Sequence, residues 1–177
     1  MLFIYCLLYL LIISIIVFLI GRIIPRNWIK EDKFPFKLYK WEKNGKIYEK
    51  LKIKKWKTKL PDASLILNKV IPSLYPTKRM KNKEISKAKV LVKESCIAEG
   101  THKVVSILGV FCIYIWKSIG GVTIAVVFYL FNVPFILIQR YNRPRLEKLS
   151  NKLNDCWKIS IKILIFLFYC WNEANMV

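Results

Sequence analysis

Histidine is almost missing from this chain of 177 residues, which has one, and acidic residues are scarce, 11 against 31 Lys+Arg. One imidazole cannot complete a tetrahedral Cys/His zinc site at the usual spacings, and there is no Cys-x-x-Cys pair, so no metal centre is expected. The five cysteines, Cys6, Cys96, Cys112, Cys156 and Cys170, are odd in number, widely spaced and set in or beside apolar runs. They read as apolar packing, not as a disulfide framework. Paired Cys/His ligands, aromatic sheet motifs and a Gly-rich clamp loop are all lacking, which together with the long apolar runs argues against a nucleic-acid partner for the cationic surplus. Charge of either sign is absent before Arg22.

What is present is a contrast. Hydrophobic residues make up 55% of the chain and the mean hydropathy is +0.32, yet the net charge is +20, so apolar and cationic blocks must be segregated. Met1 to Ile20 is long enough to cross roughly 30 Å of hydrocarbon as a helix, and residues 1–21 read as an N-terminal transmembrane anchor. A cleaved signal peptide fits less well, because a basic leading region and a small-residue cleavage site are missing. Residues 22–103 hold 23 Lys+Arg against 8 Asp+Glu. The positive-inside tendency puts this block on the cytoplasmic side and the N-terminus outside. Its lysines alternate with Trp41, Tyr48, Trp56 and Tyr75, which suits a surface pressed onto anionic membrane lipids.

The second apolar block, 104–139, is broken at Lys117-Ser-Ile-Gly-Gly121. Val104 to Trp116 is too short to cross alone, whereas Val122 to Ile138 suits a tilted span; basic flanks on both sides favour a hairpin or a re-entrant segment plus a spanning helix. Residues 140–177 combine a polar motif with an apolar tail, Ile159 to Trp171, which either lies at the interface or inserts. The expected fold is mainly α: a small integral membrane protein with an N-terminal spanning helix, a basic cytoplasmic region ending in an amphipathic helix, and a later helical hairpin.

Helical periodicity is clearest from Glu84 to His102, where Ile85, Ala88, Leu91, Val92, Ser95 and Cys96 recur at spacings of three and four. Glu99 and His102 continue that stripe. A carboxylate one turn from an imidazole can fix its tautomer and stabilise its protonated form, so the pair is the best candidate for general-base chemistry. Without a second histidine it is not half of a di-metal site. Downstream, Asn132-Val-Pro134 leads to a cluster of Gln139, Arg140, Tyr141, Asn142, Arg143 and Arg145, denser than membrane anchoring requires. Pro134 should bend the helix and Pro144 should stop it.

Trp41-Glu-Lys-Asn-Gly-Lys46, Lys54-Lys-Trp-Lys57, Leu60-Pro-Asp62, Glu99-x-x-His102, Asn132-Val-Pro134 and Gln139-Arg-Tyr-Asn-Arg-Pro-Arg-Leu146, taken in order, resemble the glycosyl-4,4'-diaponeurosporenoate acyltransferase family over roughly Gly21 to Leu149. The chain departs from the family pattern in having Lys103 where Trp commonly follows the histidine, and in the apolar tail after Asn154. The resemblance implies a cell-membrane, multi-pass enzyme of carotenoid biosynthesis that esterifies a fatty acyl group onto a sugar hydroxyl of a glycosylated C30 carotenoid acid, completing staphyloxanthin-type pigments. No cofactor is implied; the partners are acyl-CoA and a lipid-like glycosylated acceptor.

On that resemblance His102 is expected to deprotonate the sugar hydroxyl and Glu99 to orient the imidazole at the cytoplasmic face. Gln139, Arg140 or Asn142 would stabilise the oxyanion, and Arg143 and Arg145 would hold the phosphates of acyl-CoA; Asn132 and Tyr141 complete the substrate-binding set. The alternatives are an acyltransferase acting on another glycolipid and a non-enzymatic membrane scaffold, in which Glu99 and His102 would be structural.

Overall fold

The computed structural model describes residues 1–60 and 85–174. Pro61, Asp62, Tyr75 and Glu84, used in the sequence reading, lie outside the described residues. The described chain is helical, with no strand among those residues. Helix α1 spans Leu2–Ile23. A polar segment of short turns follows, with 3-10 turns at Arg26–Trp28, Lys40–Gly45 and Lys57–Lys59 and one-turn helices α2 (Ile47–Lys50) and α3 (Ile53–Trp56). Helix α4 spans Ile85–Gly109, one-turn α5 spans Cys112–Ile115, and α6 runs over Ile119–Ala174.

Three stretches are long and apolar enough to cross a membrane: Leu2–Ile23, Ala88–Ile115 and Ile119–Ile163. The second runs antiparallel to the first and to the third. At one end Tyr9 Oη donates to Leu108 O at 3.0 Å, and Cys6, Leu10, Cys112 and Ala125 form a buried cluster. At the other end Arg26 Nε donates to Glu94 Oε1 at 2.8 Å, joining the exit of α1 to α4. Gly21 permits the close approach of these two helices, because a Cβ there would sit 2.9 Å from Thr101 Oγ1. Leu7, Leu8, Leu11, Ile12, Ile15, Ile16 and Leu19 stay exposed on α1. So continuous an apolar surface belongs in lipid.

The helical stripe read from the sequence is the buried face of α4: Ala88, Val92, Ser95, Cys96 and Glu99 are all buried. Two expectations change. The short apolar piece Val104 to Trp116 is not a separate element, since α4 continues without interruption through His102 and Lys103 to Gly109; the span it completes begins at Ala88. Nor does Pro144 stop α6, which passes through both Pro134 and Pro144. Proline removes one i→i−4 hydrogen bond and crowds the preceding turn, but α6 is fastened to its neighbours on both sides of Pro144 by Arg140, Arg143 and Arg145. A second buried cluster, Tyr48, Ile53 and Tyr141, seats the polar segment on this part of α6.

Candidate active site

His102 on α4 faces Asn132 on α6, its Nδ1 lying 2.8 Å from Asn132 Oδ1. Asn132 is itself held, its Nδ2 donating to Phe128 O at 2.9 Å. With the amide nitrogen spent on that carbonyl, Oδ1 is the acceptor, and the imidazole must carry its proton on Nδ1. Nε2 is left with its lone pair. The ring is clamped further by Phe135, whose centroid lies 4.9 Å away at an interplanar angle of 11°. Asn132 is buried, and His102 is half-buried.

Glu99 does not orient His102, contrary to the expectation from its spacing. It is fully buried. Its Oε1 accepts from Arg140 Nη1 at 2.6 Å and from Lys103 Nζ at 2.5 Å, and its Oε2 accepts from Arg143 Nη2. Both oxygens are thus saturated by cations. Asn132 takes the place that Glu99 was expected to fill.

Arg140 and Arg143 form a clasp rather than an open anion site. Arg140 grips Glu42 with Nε on Oε1 at 2.6 Å and Nη2 on Oε2 at 2.8 Å. Arg143 donates through Nε to Ser95 Oγ at 3.2 Å and through Nη1 to Phe36 O at 2.5 Å. Glu42 also accepts the Tyr48 hydroxyl and, at 2.5 Å, the Tyr39 N–H. Two arginines and two carboxylates are buried together here, and every buried side-chain nitrogen and oxygen among the described residues has a partner. Every guanidinium nitrogen is engaged within the protein, and four of the five N–H donors of each arginine are spent there. Burial alone would raise the Glu42 pKa. The hydrogen bonds of Arg140, Tyr48 and the Tyr39 amide, with the Arg140 charge, outweigh it and hold the carboxyl below its usual range. Burial, and then the same carboxylate, push the Tyr48 hydroxyl up.

The other predicted residues are dispersed around this clasp. Tyr141 is buried in the apolar cluster that seats the polar segment. Asn142 Oδ1 accepts from Lys57 Nζ at 3.1 Å. Arg145 is exposed, donates to Glu49 Oε1 at 2.7 Å and has its guanidinium 3.7 Å from the Tyr141 ring centroid. Gln139 is half-buried, and its amide makes no hydrogen bond to a described residue. Two shallow clefts, of about 300 Å³ (Phe34, Lys37, Leu38, Tyr39, Lys40) and about 220 Å³ (Trp41, Lys43, Lys46, Ile47, Lys50), open beside the clasp, and His102 lines neither.

Sequence reasoning missed Glu42 and Tyr48 as members of the site. The signal for Glu42 was the pair of arginines on an apolar helix: buried guanidinium groups demand carboxylates, and few acids were available. Among the described residues no group of His, Cys, Asp and Glu could hold a metal ion.

The profile of the glycosyl-4,4'-diaponeurosporenoate acyltransferase family matches residues 25–152, which takes in the clasp and the His102–Asn132 pair. The chain is 32% identical over 148 residues to the glycosyl-4,4'-diaponeurosporenoate acyltransferase of Staphylococcus aureus strain MRSA252, covering 82% of this chain and 86% of that one. It is 31% identical over the same length to the enzyme of that name from strain N315. No solved structure matches the chain significantly.

Proposed function

Because the chain belongs to the glycosyl-4,4'-diaponeurosporenoate acyltransferase family and is an acyltransferase, we propose that it moves a fatty acyl group from acyl-CoA to a sugar hydroxyl of a glycosylated diapocarotenoid acid, at the cytoplasmic edge of the cell membrane. One observation carries the residue assignment: the Phe128 carbonyl, Asn132 and His102 form a relay that fixes the Nδ1–H tautomer and presents Nε2 as a base.

Nε2 takes the proton of the sugar hydroxyl as the oxygen bonds to the thioester carbon. The tetrahedral intermediate collapses by breaking the C–S bond, and the imidazolium returns its proton to the departing thiolate. No covalent enzyme intermediate is needed. Asn132 stabilises the imidazolium through its carbonyl oxygen. Gln139 lies two turns along α6 on the same face as Asn132 and hydrogen-bonds the sugar. Arg140, Arg143, Glu42 and Glu99 hold α4, α6 and the polar segment in the geometry that the relay requires. The carotenoid chain stays in lipid beside the spanning helices, so neither apolar chain has to enter water.

The test supplies membranes containing the protein, or its His102→Ala form, with acyl-CoA and a glycosylated diapocarotenoid acid, followed by mass spectrometry of lipid extracts. An acyl ester from the unaltered protein alone is expected. Ester from both forms removes His102 as the base; ester from neither, with both inserted, removes this acceptor.

A further inference from the structure

The cationic cluster on the far side of Tyr141 is not explained by the clasp. Lys57 Nζ lies 5.1 Å from the centroid of the Tyr141 ring, and the Arg145 guanidinium lies 3.7 Å from it, so two cations share one ring. Lys57 has an amide oxygen, Asn142 Oδ1 at 3.1 Å, as its acceptor, and no carboxylate is in ion-pair reach of it among the described residues. Arg145 has Glu49, but that bridge joins side chains 45% and 59% exposed. Such a surface bridge is worth little and opens readily. Burial, followed by the charges of Arg145 and Lys54, lowers the Lys57 pKa. The cluster is therefore short of negative charge, and a bound anion would relieve it.

We propose that Lys57 and Arg145 form the subsite for the phosphate groups of the acyl donor, the donor being a phosphate ester such as a coenzyme A thioester. This rests on the acyltransferase reading above. Asn142, which holds Lys57, stands ten residues beyond Asn132, about 15 Å along α6. A pantetheine arm bridges a separation of this order, so phosphates anchored here leave the thioester at the His102 end. The guanidinium fork of Arg145 suits paired phosphate oxygens, and Lys57 adds a point charge. Arg143, expected from the sequence to share this task with Arg145, is fully buried in the clasp.

The experiment uses the full chain in phosphatidylcholine nanodiscs, with Lys57→Gln, Arg145→Gln and, as a distant control, Lys89→Gln. Acyl transfer is measured from acyl-CoA and from the acyl thioester of N-acetylcysteamine, which carries no phosphate. Each subsite variant should raise KM for acyl-CoA about tenfold, the loss of one charge-assisted hydrogen bond, while KM for the phosphate-free donor and the Lys89→Gln values stay unchanged. Equal effects on both donors, or none on acyl-CoA, overturn the subsite and leave the acyltransferase standing. Should the unaltered protein transfer from neither donor, the functional reading fails by itself, and direct CoA binding still decides the subsite: weaker binding by Lys57→Gln supports it, unchanged binding overturns it. A phospholipid headgroup is the other source of phosphate. If adding phosphatidylglycerol abolishes the difference between Lys57→Gln and the unaltered protein, the cluster binds lipid and the donor assignment is overturned.

Discussion

At the scale of single residues, the relay and the clasp answer to different measurements. Asn132→Leu removes the acceptor for His102 Nδ1–H while keeping an apolar side chain of similar size in the span. Insertion should be unchanged and kcat should fall about 10²-fold, the low end of what a positioned general base contributes. A kcat within a factor of two of the unaltered protein would mean that the 2.8 Å contact holds the helices together and does nothing for the chemistry. Glu99→Gln acts through stability instead. It leaves Arg140 and Arg143 buried with too little negative charge, a loss of about 3–5 kcal/mol, read as a lower thermal midpoint in detergent; an unchanged midpoint would show that Glu42 alone balances both arginines. Glu42 makes this arrangement sensitive to acid. Its folded pKa is depressed, so its stabilising contribution is complete above the unfolded carboxyl value of about 4.3 and is lost as pH falls through the lower folded value. Unfolding measured against pH below 5 should be steeper for the unaltered chain than for Glu42→Gln. As a candidate, His102 was legible because a lone histidine continuing a buried stripe stands out. Its partner was not, because sequence spacing favours the neighbour one turn away, and Glu99 is consumed by Lys103, Arg140 and Arg143.

At the scale of elements, periodicity was read correctly and punctuation was not. The stripe from Ala88 to Glu99 repeats with the helical period and is buried as such, and α4 meets α6 from Ser95 against Arg143 to Gly109 against Phe128. Proline is a weaker guide where tertiary contacts hold the chain on both sides of it, as at Pro144. The polar segment makes this possible by packing directly on the proline. Gly45 has φ +85°, and a Cβ there would lie 2.9 Å from Pro144 Cγ. Gly45→Ala therefore combines a left-handed strain with a clash and should destabilise the protein by more than about 1 kcal/mol. Gly100→Ala makes the useful contrast, because its Cβ would meet the Phe36 ring at an ordinary 3.5 Å within helix α4; it should be neutral or stabilising in the same thermal scan. Equal losses at the two positions would show that the turn at Gly45 is not fixed by Pro144.

For the molecule as a whole, the decisive quantity is where its charge lies relative to its apolar length. Residues 119–139 of α6 carry no charged side chain and extend about 31 Å, close to the thickness of a hydrocarbon core. The clasp begins at Arg140, where that stretch ends. Lys117 stands at its opposite end, in the turn that joins α5 to α6, and is exposed. The short turns from Arg26 to Lys59 gather at the clasp end, so nearly the whole cationic surplus of the described residues is on one side. Composition made this segregation visible, but not that a polar segment without helical period would close over buried arginines, since its carbonyls and its Glu42 carboxylate accept from arginines distant in sequence. The arrangement predicts a sidedness that needs no enzymatic assay. In a variant lacking the native cysteines, single cysteines at Lys40→Cys and Lys117→Cys should react with an impermeant maleimide from opposite sides of the membrane, with Lys40→Cys protected in intact cells and Lys117→Cys labelled. Labelling of both from one side would mean that α6 does not cross between Ile119 and Gln139, and the base proposed at His102 would then have to meet both proposed substrates on a membrane surface.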